Sequence, residues 1–322
     1  MATTAATTTQ QRSSELNVLV RKQRSLWQDA WYRLVRNRAA MVGLVVVIVF
    51  MAVAASVQVL TDLHVLKDPL LQDTPNSLMD PFWADSKFRN AAYPLGSDQL
   101  GRDILSRLLW STRISMLVGF VPVAIVTLVG VSVGLMAGYY GAWVDQILMR
   151  ITDVIYAFPD LLFLFIIMAT LRNTALGDLQ GGLFLIFIAI AIVNWVGLAR
   201  LVRGQVLSLK EREFVEAARA IGAPARRIMT RHLFPNLLAP VIVSIAFGIP
   251  NAMLAEATLS FFGIGIKPPT ASWGVMINEG FTVFSTTAWP VLLPALCISI
   301  VMLAFTFLGD GLRDALDPRM KT

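Results

Sequence analysis

The sequence predicts an all-α polytopic membrane protein with six transmembrane helices. Three observations predict it. Of 322 residues, 56% are hydrophobic and only 15% charged, with a mean hydropathy of +0.65, whereas soluble domains are about 45–50% apolar and about 25% charged. Residues 39–61, 114–144, 179–199, 233–255 and 280–309 form runs free of charge, each long enough for the roughly 20 residues that cross a hydrocarbon core. The basic residues, finally, are spread in a way that requires a sixth crossing.

Taken in order, residues 1–38 are polar and basic, with a Thr/Gln/Ser-rich start, and are expected to be a cytoplasmic tail without fixed structure. The first span covers 39–61. Residues 62–112 are rich in Pro, Asp and aromatics and are expected to be an external loop. Its end has Ile104, Leu105, Leu108 and Leu109 on one side and Arg102 and Arg107 on the other, the periodicity of an amphipathic helix at the membrane surface. A core of crossings then occupies 113–310, and 311–322 form a second cytoplasmic tail.

The segment 151–171 is the weakest candidate span, because Asp153 and Asp160 lie near its start. Charge decides its fate. Seven Lys/Arg precede the first span and eight more lie within 200–231. Five crossings would put those eight outside, against the positive-inside rule. Six put them inside: seven in the tail, Arg150, eight in 200–231 and three at the C-terminus. That is 19 of 27 inside and 8 outside, with both termini cytoplasmic. The net charge of +6 therefore speaks for membrane orientation and not for nucleic acid. Asp145, Arg150, Asp153 and Asp160 are expected to serve the turn into the third span, with Asp145 and Arg150 as a possible pair.

One basic stretch interrupts the apolar pattern: EFVEAARAIGAPARRIMTRHLFPN, residues 213–236. Phe214, Ala217, Ala218 and Ile221 fall at helical spacing and predict one apolar face. Glu213, Glu216 and Arg219 form the other, with Arg212–Glu216 an expected i,i+4 pair. Gly222 suits the left-handed position that ends a helix, and Pro224 suits the start of the next. Arg226, Arg227 and Arg231 ride on that second helix, and Pro235 marks the return to the membrane. A surface loop with snorkelling arginines is the plain alternative. The length, hinge and ordered faces favour a docking element.

Other signals carry less. GVSVG, 130–134, matches a hydrolase elbow, but that elbow needs a strand-to-helix turn. Gly130, Gly134 and Gly138 instead repeat every four residues, the pattern of closely packed membrane helices. GIGIKPP, 263–269, is not a phosphate-binding loop, since Pro268 and Pro269 cannot open the required helix. Glu256 could face a translocation path or cap a helix end. Asn194, mid-span, is expected to bond across helices rather than touch substrate; these two residues are the path candidates. His64, His232 and Cys297 supply neither a disulfide nor a catalytic or metal constellation.

Glu216-Ala217-Ala218, three residues, Gly222 and later Pro235 resemble the EAA signature of permease subunits in binding-protein-dependent ABC importers, departing at His232 and Phe234. RSLWQDAW (24–31), YPLGSDQLGRDILSRLLW (93–110), GYYGAWVDQILMR (138–150), SFFGIGIKPPTASWG (260–274) and LGDGLRDALDP (308–318) resemble the C-type permease of the peptide-importer branch. The resemblance implies the ABC type I importer permease fold in a bacterial cytoplasmic membrane. It implies that 213–235 is the coupling helix, with Phe214, Glu216, Ala217, Ala218, Arg219, Ile221, Gly222, Arg226 and Arg227 serving contact with an ATPase. It implies as partners a second homologous permease, two ATPase subunits that bind ATP and Mg, and an external substrate-binding protein. Because RSLWQDAW (24–31) and SLKEREFVEAA (208–218) resemble oligopeptide more than dipeptide permeases, the cargo would be oligopeptides, with dipeptides second, although nickel and peptide-like metabolites are carried by the same architecture. A secondary transporter would need buried charges at the midplane of related repeats, and no such repeat is visible. An enzyme would need a catalytic constellation, and none is visible either.

Overall fold

The computed structural model describes residues 26–84 and 87–317. The tail expected over 1–38 falls outside the described residues up to 25, but from Leu26 the chain is already helical. Helix α1, Leu26–Arg36, leads into α2, Arg38–Asp62. Asn37 separates the two: its extended backbone stops α1, and its side chain accepts from the amide of Ala40 at 3.2 Å, capping α2.

The second long helix, α3, is Ile104–Tyr140, capped by Asp103, which accepts from the Ser106 amide at 2.9 Å. The surface-lying amphipathic helix expected near 100–112 is instead the first three turns of this rod. Arg107 and Arg102, which lies just ahead of the rod, are buried, not solvated. Arg102 and Arg107 both pair with Asp98 and with Glu279, at 2.5–2.8 Å. Four alternating charges satisfy one another there, which the sequence pattern of one helix cannot reveal.

The third crossing is not a straight span. Helices α4, Ala142–Tyr156, and α5, Asp160–Leu171, are bent by 81° at the break before Pro159. Proline removes a backbone donor and disfavours helix in the residue before it. Asp145 does not pair with Arg150; it takes both guanidinium nitrogens of Arg203, at 2.5 and 2.6 Å. Arg200 takes Asp153 at 2.6 Å. Arg203 and Arg200 lie on α6, Leu183–Leu209, so the acidic residues tie the bent pair to the next span.

After α6 come α7, Glu213–Ala220, and α8, Phe234–Phe261. Pro235 does not break the chain's second arm: a π-helical turn at Ile228–Leu233 joins Ala225–Arg227 to α8, and Ala225–Phe261 is long and apolar enough to span as one rod. The wider turn loosens the register just before a residue with no amide to donate. A short helix α9, Trp273–Phe281, and the final α10, Trp289–Leu316, complete the order. The helix α10 thus runs through most of the tail expected from 311. Among the described residues, five helices have the length and composition of spans, and the bent pair makes a sixth if it is counted as one crossing.

The central core is shared by α3, α6, α8, α9 and α10. The glycine series on α3 lies where α6 packs. A β-carbon on Gly134 would fall 2.6 Å from the Ala199 carbonyl oxygen, and one on Gly138 would fall 2.7 Å from Val206. Only glycine lets the two backbones come this close. Ala30, Leu34, Ala40 and Ala315 form a separate small core, so both described ends of the chain meet. They meet at the end that carries α7: Trp110 donates to Thr61 at 2.8 Å, setting the start of α3 beside the end of α2, and at the other end of α3 Lys210, just ahead of α7, donates to the Gly138 carbonyl at 3.2 Å. The opposite end carries α9 and residues 63–103, where Tyr93 donates to Asp73 at 2.7 Å and Asn76 donates to it at 2.9 Å.

Candidate functional site

Helix α7 is short, eight residues, and is shaped by its sequence at both ends. Glu213 and Glu216 occupy its first turn and Arg219 its last, the arrangement that complements the helix dipole. At the far end the Gly222 amide donates to Arg219 at 2.9 Å and the Ala223 amide to Ala218 at 3.0 Å. These two bonds make a Schellman motif, and Gly222 takes the left-handed position with φ +76°. The expected hinge is there.

The apolar residues of α7 divide between two edges. Val215 and Ala218 are the buried pair, packed with Val202, Val206, Ile228 and Leu233. Phe214 and Ala217 are exposed, and Ile221 is 85% exposed. Of the four apolar residues expected to share one face, Phe214, Ala217 and Ile221 stay open and Ala218 turns inward. The reason is direction: α7 returns beneath the ends of α6 and α8, so their side chains choose the Val215–Ala218 edge. Arg212 does not pair with Glu216, because its backbone is extended, φ −83° and ψ 145°, and it lies ahead of the helix. Arg219 instead reaches the Tyr139 ring, 5.6 Å from its centroid, and Phe214 stacks toward His232 at 6.5 Å.

What remains on the outer side is a surface of mixed character. Phe214, Ala217 and Ile221 make an apolar stripe, flanked by Glu216 and Arg219 and followed by exposed Arg226 and Arg227. Ile221 is thus left almost wholly open on a helix whose inner edge is well packed.

A second feature lies mid-bundle. Between α3, α6 and α8 is a cleft of about 340 Å³ whose otherwise apolar wall carries Thr127, Asn194, Ser244 and Asn251. Asn194 does not bond across helices; its amide donates to the Ile190 carbonyl of its own helix at 2.9 Å. Glu256 does not line this cleft. It is 1% exposed, and its Oε1 accepts from Ser260 and Ser272, each at 2.6 Å. Ser272 is also the cap of α9, so Glu256 fastens α9 to α8. Thr127, Ser244 and Asn251 have no motif around them and come together only through packing. A wider apolar groove of about 720 Å³ runs between α3 and α8, past Phe120, Leu128, Leu135, Leu238 and Ile242. Among the described residues, no group of three or more His, Cys, Asp or Glu could hold a metal.

Residues 130–322 match the family described as the binding-protein-dependent transport system inner membrane component. The chain belongs to this family. Residues 25–81 of the permease match the N-terminal transmembrane domain of oligopeptide transport permease C. It is 40% identical over 314 residues to a dipeptide transport system permease protein of Bacillus subtilis strain 168, covering 97% of this chain and 92% of that one. An oligopeptide transport system permease protein of the same strain is 36% identical over 302 residues, covering 94% and 92%. A glutathione transport system permease protein of Pectobacterium atrosepticum is 35% identical, covering 93% of each chain. The solved MetNI methionine ABC transporter, in inward-facing conformations, is 20% identical with a TM-score of 0.49, covering 66% of the permease and 96% of that chain.

Proposed function

We propose that this permease forms, with a second homologous permease, the pathway of an ATP-driven importer of oligopeptides or dipeptides in the bacterial cytoplasmic membrane. Two ATPase subunits bind ATP and Mg; an external binding protein delivers the peptide. The observation that carries the reading is the exposed Phe214–Ala217–Ile221 stripe on a helix held rigidly from behind. Such a stripe can transmit force, because Val215 and Ala218 lock α7 to the ends of α6 and α8, the same helices that wall the cleft.

ATPase closure would push the stripe; α6 and α8 would move against α3; the cleft would open to one side and then the other. Thr127, Asn194, Ser244 and Asn251 offer hydroxyl and amide groups to a peptide backbone, whose own donors and acceptors need partners once they leave water. The apolar groove between α3 and α8 suits the second permease. The count of 19 basic residues against 8 supports placing α7 and both termini in the cytoplasm.

The test is Ile221→Asp. A charge at a fully exposed position leaves insertion and folding unchanged, while docking into an apolar cleft is lost. Membranes from cells producing the variant should contain the permease at wild-type level, with ATPase subunits no longer co-purifying and peptide uptake abolished. Wild-type uptake and co-purification in Ile221→Asp would overturn the assignment.

A further inference from the structure

Helix α1 carries more apolar surface than the protein covers. At about 100° per residue, Ala30 and Leu34 lie on one edge and are buried against Ala40 and Ala315. Trp27, Trp31 and Val35, each four residues apart, lie on the adjoining edge and are exposed, Trp27 and Trp31 by 55% and 59%. Asp29, Arg33 and Arg36 occupy the opposite side. The apolar arc is therefore only half used by contacts within the chain.

Two further observations say what meets the other half. The first is connectivity: a single residue, Asn37, separates α1 from the span that begins at Arg38. A helix joined so closely to a span, and clamped beside the end of another, must lie at the edge of the hydrocarbon. The second is chemistry. Three arginines, Arg33, Arg36 and Arg38, stand against one acid, Asp29. Arg33 donates to the Asp317 carbonyl at 3.3 Å and Arg36 lies over the Tyr32 ring, 4.1 Å from its centroid, while Arg36 and Arg38 both remain exposed. Indole rings flanked by arginines are the composition that favours the headgroup region of a bilayer.

We propose that α1 is an interfacial anchor: Trp27, Trp31 and Val35 seat in the leaflet on the side of the termini, and Arg36 and Arg38 bind anionic lipid headgroups. Because Ala30 and Leu34 grip Ala315, the anchor also sets the depth at which α10 ends. The inference needs the membrane location but not the cargo or the coupling surface, so it stands or falls separately from them.

The experiment uses the whole complex with Cys297→Ala in the permease, a nitroxide at Trp31→Cys, Val35→Cys or Arg36→Cys, and vesicles of phosphatidylcholine with or without phosphatidylglycerol. Collision with oxygen reports the lipid interior, and collision with a water-soluble nickel chelate reports water. The oxygen-to-nickel ratio should be several-fold higher at 31 and 35 than at 36. Adding Arg36→Gln and Arg38→Gln should lower the ratio at 35 in the phosphatidylglycerol mixture and leave it unchanged in phosphatidylcholine alone. Val35→Cys is a mild change, and a melting midpoint equal to that of the unlabelled complex will show that the labelled complex is intact. Equal ratios at 35 and 36 would overturn the anchor. So would shielding of 31 and 35 from both reagents, which would mean a protein chain covers them. Insensitivity to phosphatidylglycerol would overturn the headgroup assignment.

Discussion

Replacing Gly134 by alanine adds one methyl group to a helix that looks featureless in sequence. The new β-carbon would sit 2.6 Å from the Ala199 carbonyl oxygen and 2.7 Å from the Val202 β-carbon, where carbon atoms are comfortable at about 3.5–4.0 Å. Backbone cannot step aside as a side-chain tip can, so α3 and α6 must part by on the order of 1 Å. Forcing a methyl into a packed interface costs about 1–3 kcal/mol. Two glycines make the comparison quantitative. At Gly130 the nearest atoms stand at 3.0 Å, a milder clash; at Gly204, within two turns of the end of α6, nothing lies within 4 Å. Gly204→Ala should therefore stabilise by about 0.5–1 kcal/mol, because alanine loses less freedom in a helix. The melting midpoints of the purified protein in detergent should rank Gly204→Ala above wild type, then Gly130→Ala, then Gly134→Ala. A Gly134→Ala protein that melts with or above the wild type would refute the close approach of α3 and α6, and with it the packing that seats α7.

At Gly222 there is also room, but the backbone has φ +76°. Gly222→Val should insert normally while losing about 1–2 kcal/mol of local stability and most uptake, because the Schellman turn no longer holds α7 at its angle. Glu216→Lys should likewise insert but lose ATPase co-purification, by reversing a charge beside the stripe. At the other end, hydrogen bonds from Tyr93 and then Asn76 hold the Asp73 carboxyl below its ordinary value of 3.8. That contribution to loop stability is present above the ordinary value and fades as pH falls through the depressed one. The protection of amides in 63–84 and 87–103, taken relative to the intrinsic exchange rate at each pH, should thus fall as the pH drops below about 4, and Tyr93→Phe should flatten the change. Burial and the Asp73 carboxylate push the Tyr93 phenol up to about 12, so it remains a donor throughout that range. Arg107→Gln should lower stability by about 3–5 kcal/mol, since it leaves Asp98 and Glu279 sharing only Arg102; an unchanged melting midpoint would show the cluster to be incidental.

Much of this protein is determined by the sequence alone, because the bilayer leaves few choices. Backbone groups in hydrocarbon must bond within the chain, so apolar runs of sufficient length have to be helices. The every-fourth glycine pattern reported a close helix contact without any structure, since nothing else benefits from removing side chains at that interval. Gly222 reported its left-handed turn for the same kind of local reason. The tertiary structure decided what depends on direction. Which edge of α7 is buried was set by where α6 and α8 end, so Val215 and Ala218 lie inside and Phe214, Ala217 and Ile221 stay outside. Arg102 and Arg107 read as the wet side of a surface helix, until Glu279, more than 170 residues away in sequence, joined Asp98 in balancing them. Glu256 became a fastener for α9 because Ser272 comes back to it, and the cleft around Asn194 exists only where three rods meet. Periodicity says that a helix has two faces; only packing says which one is inside.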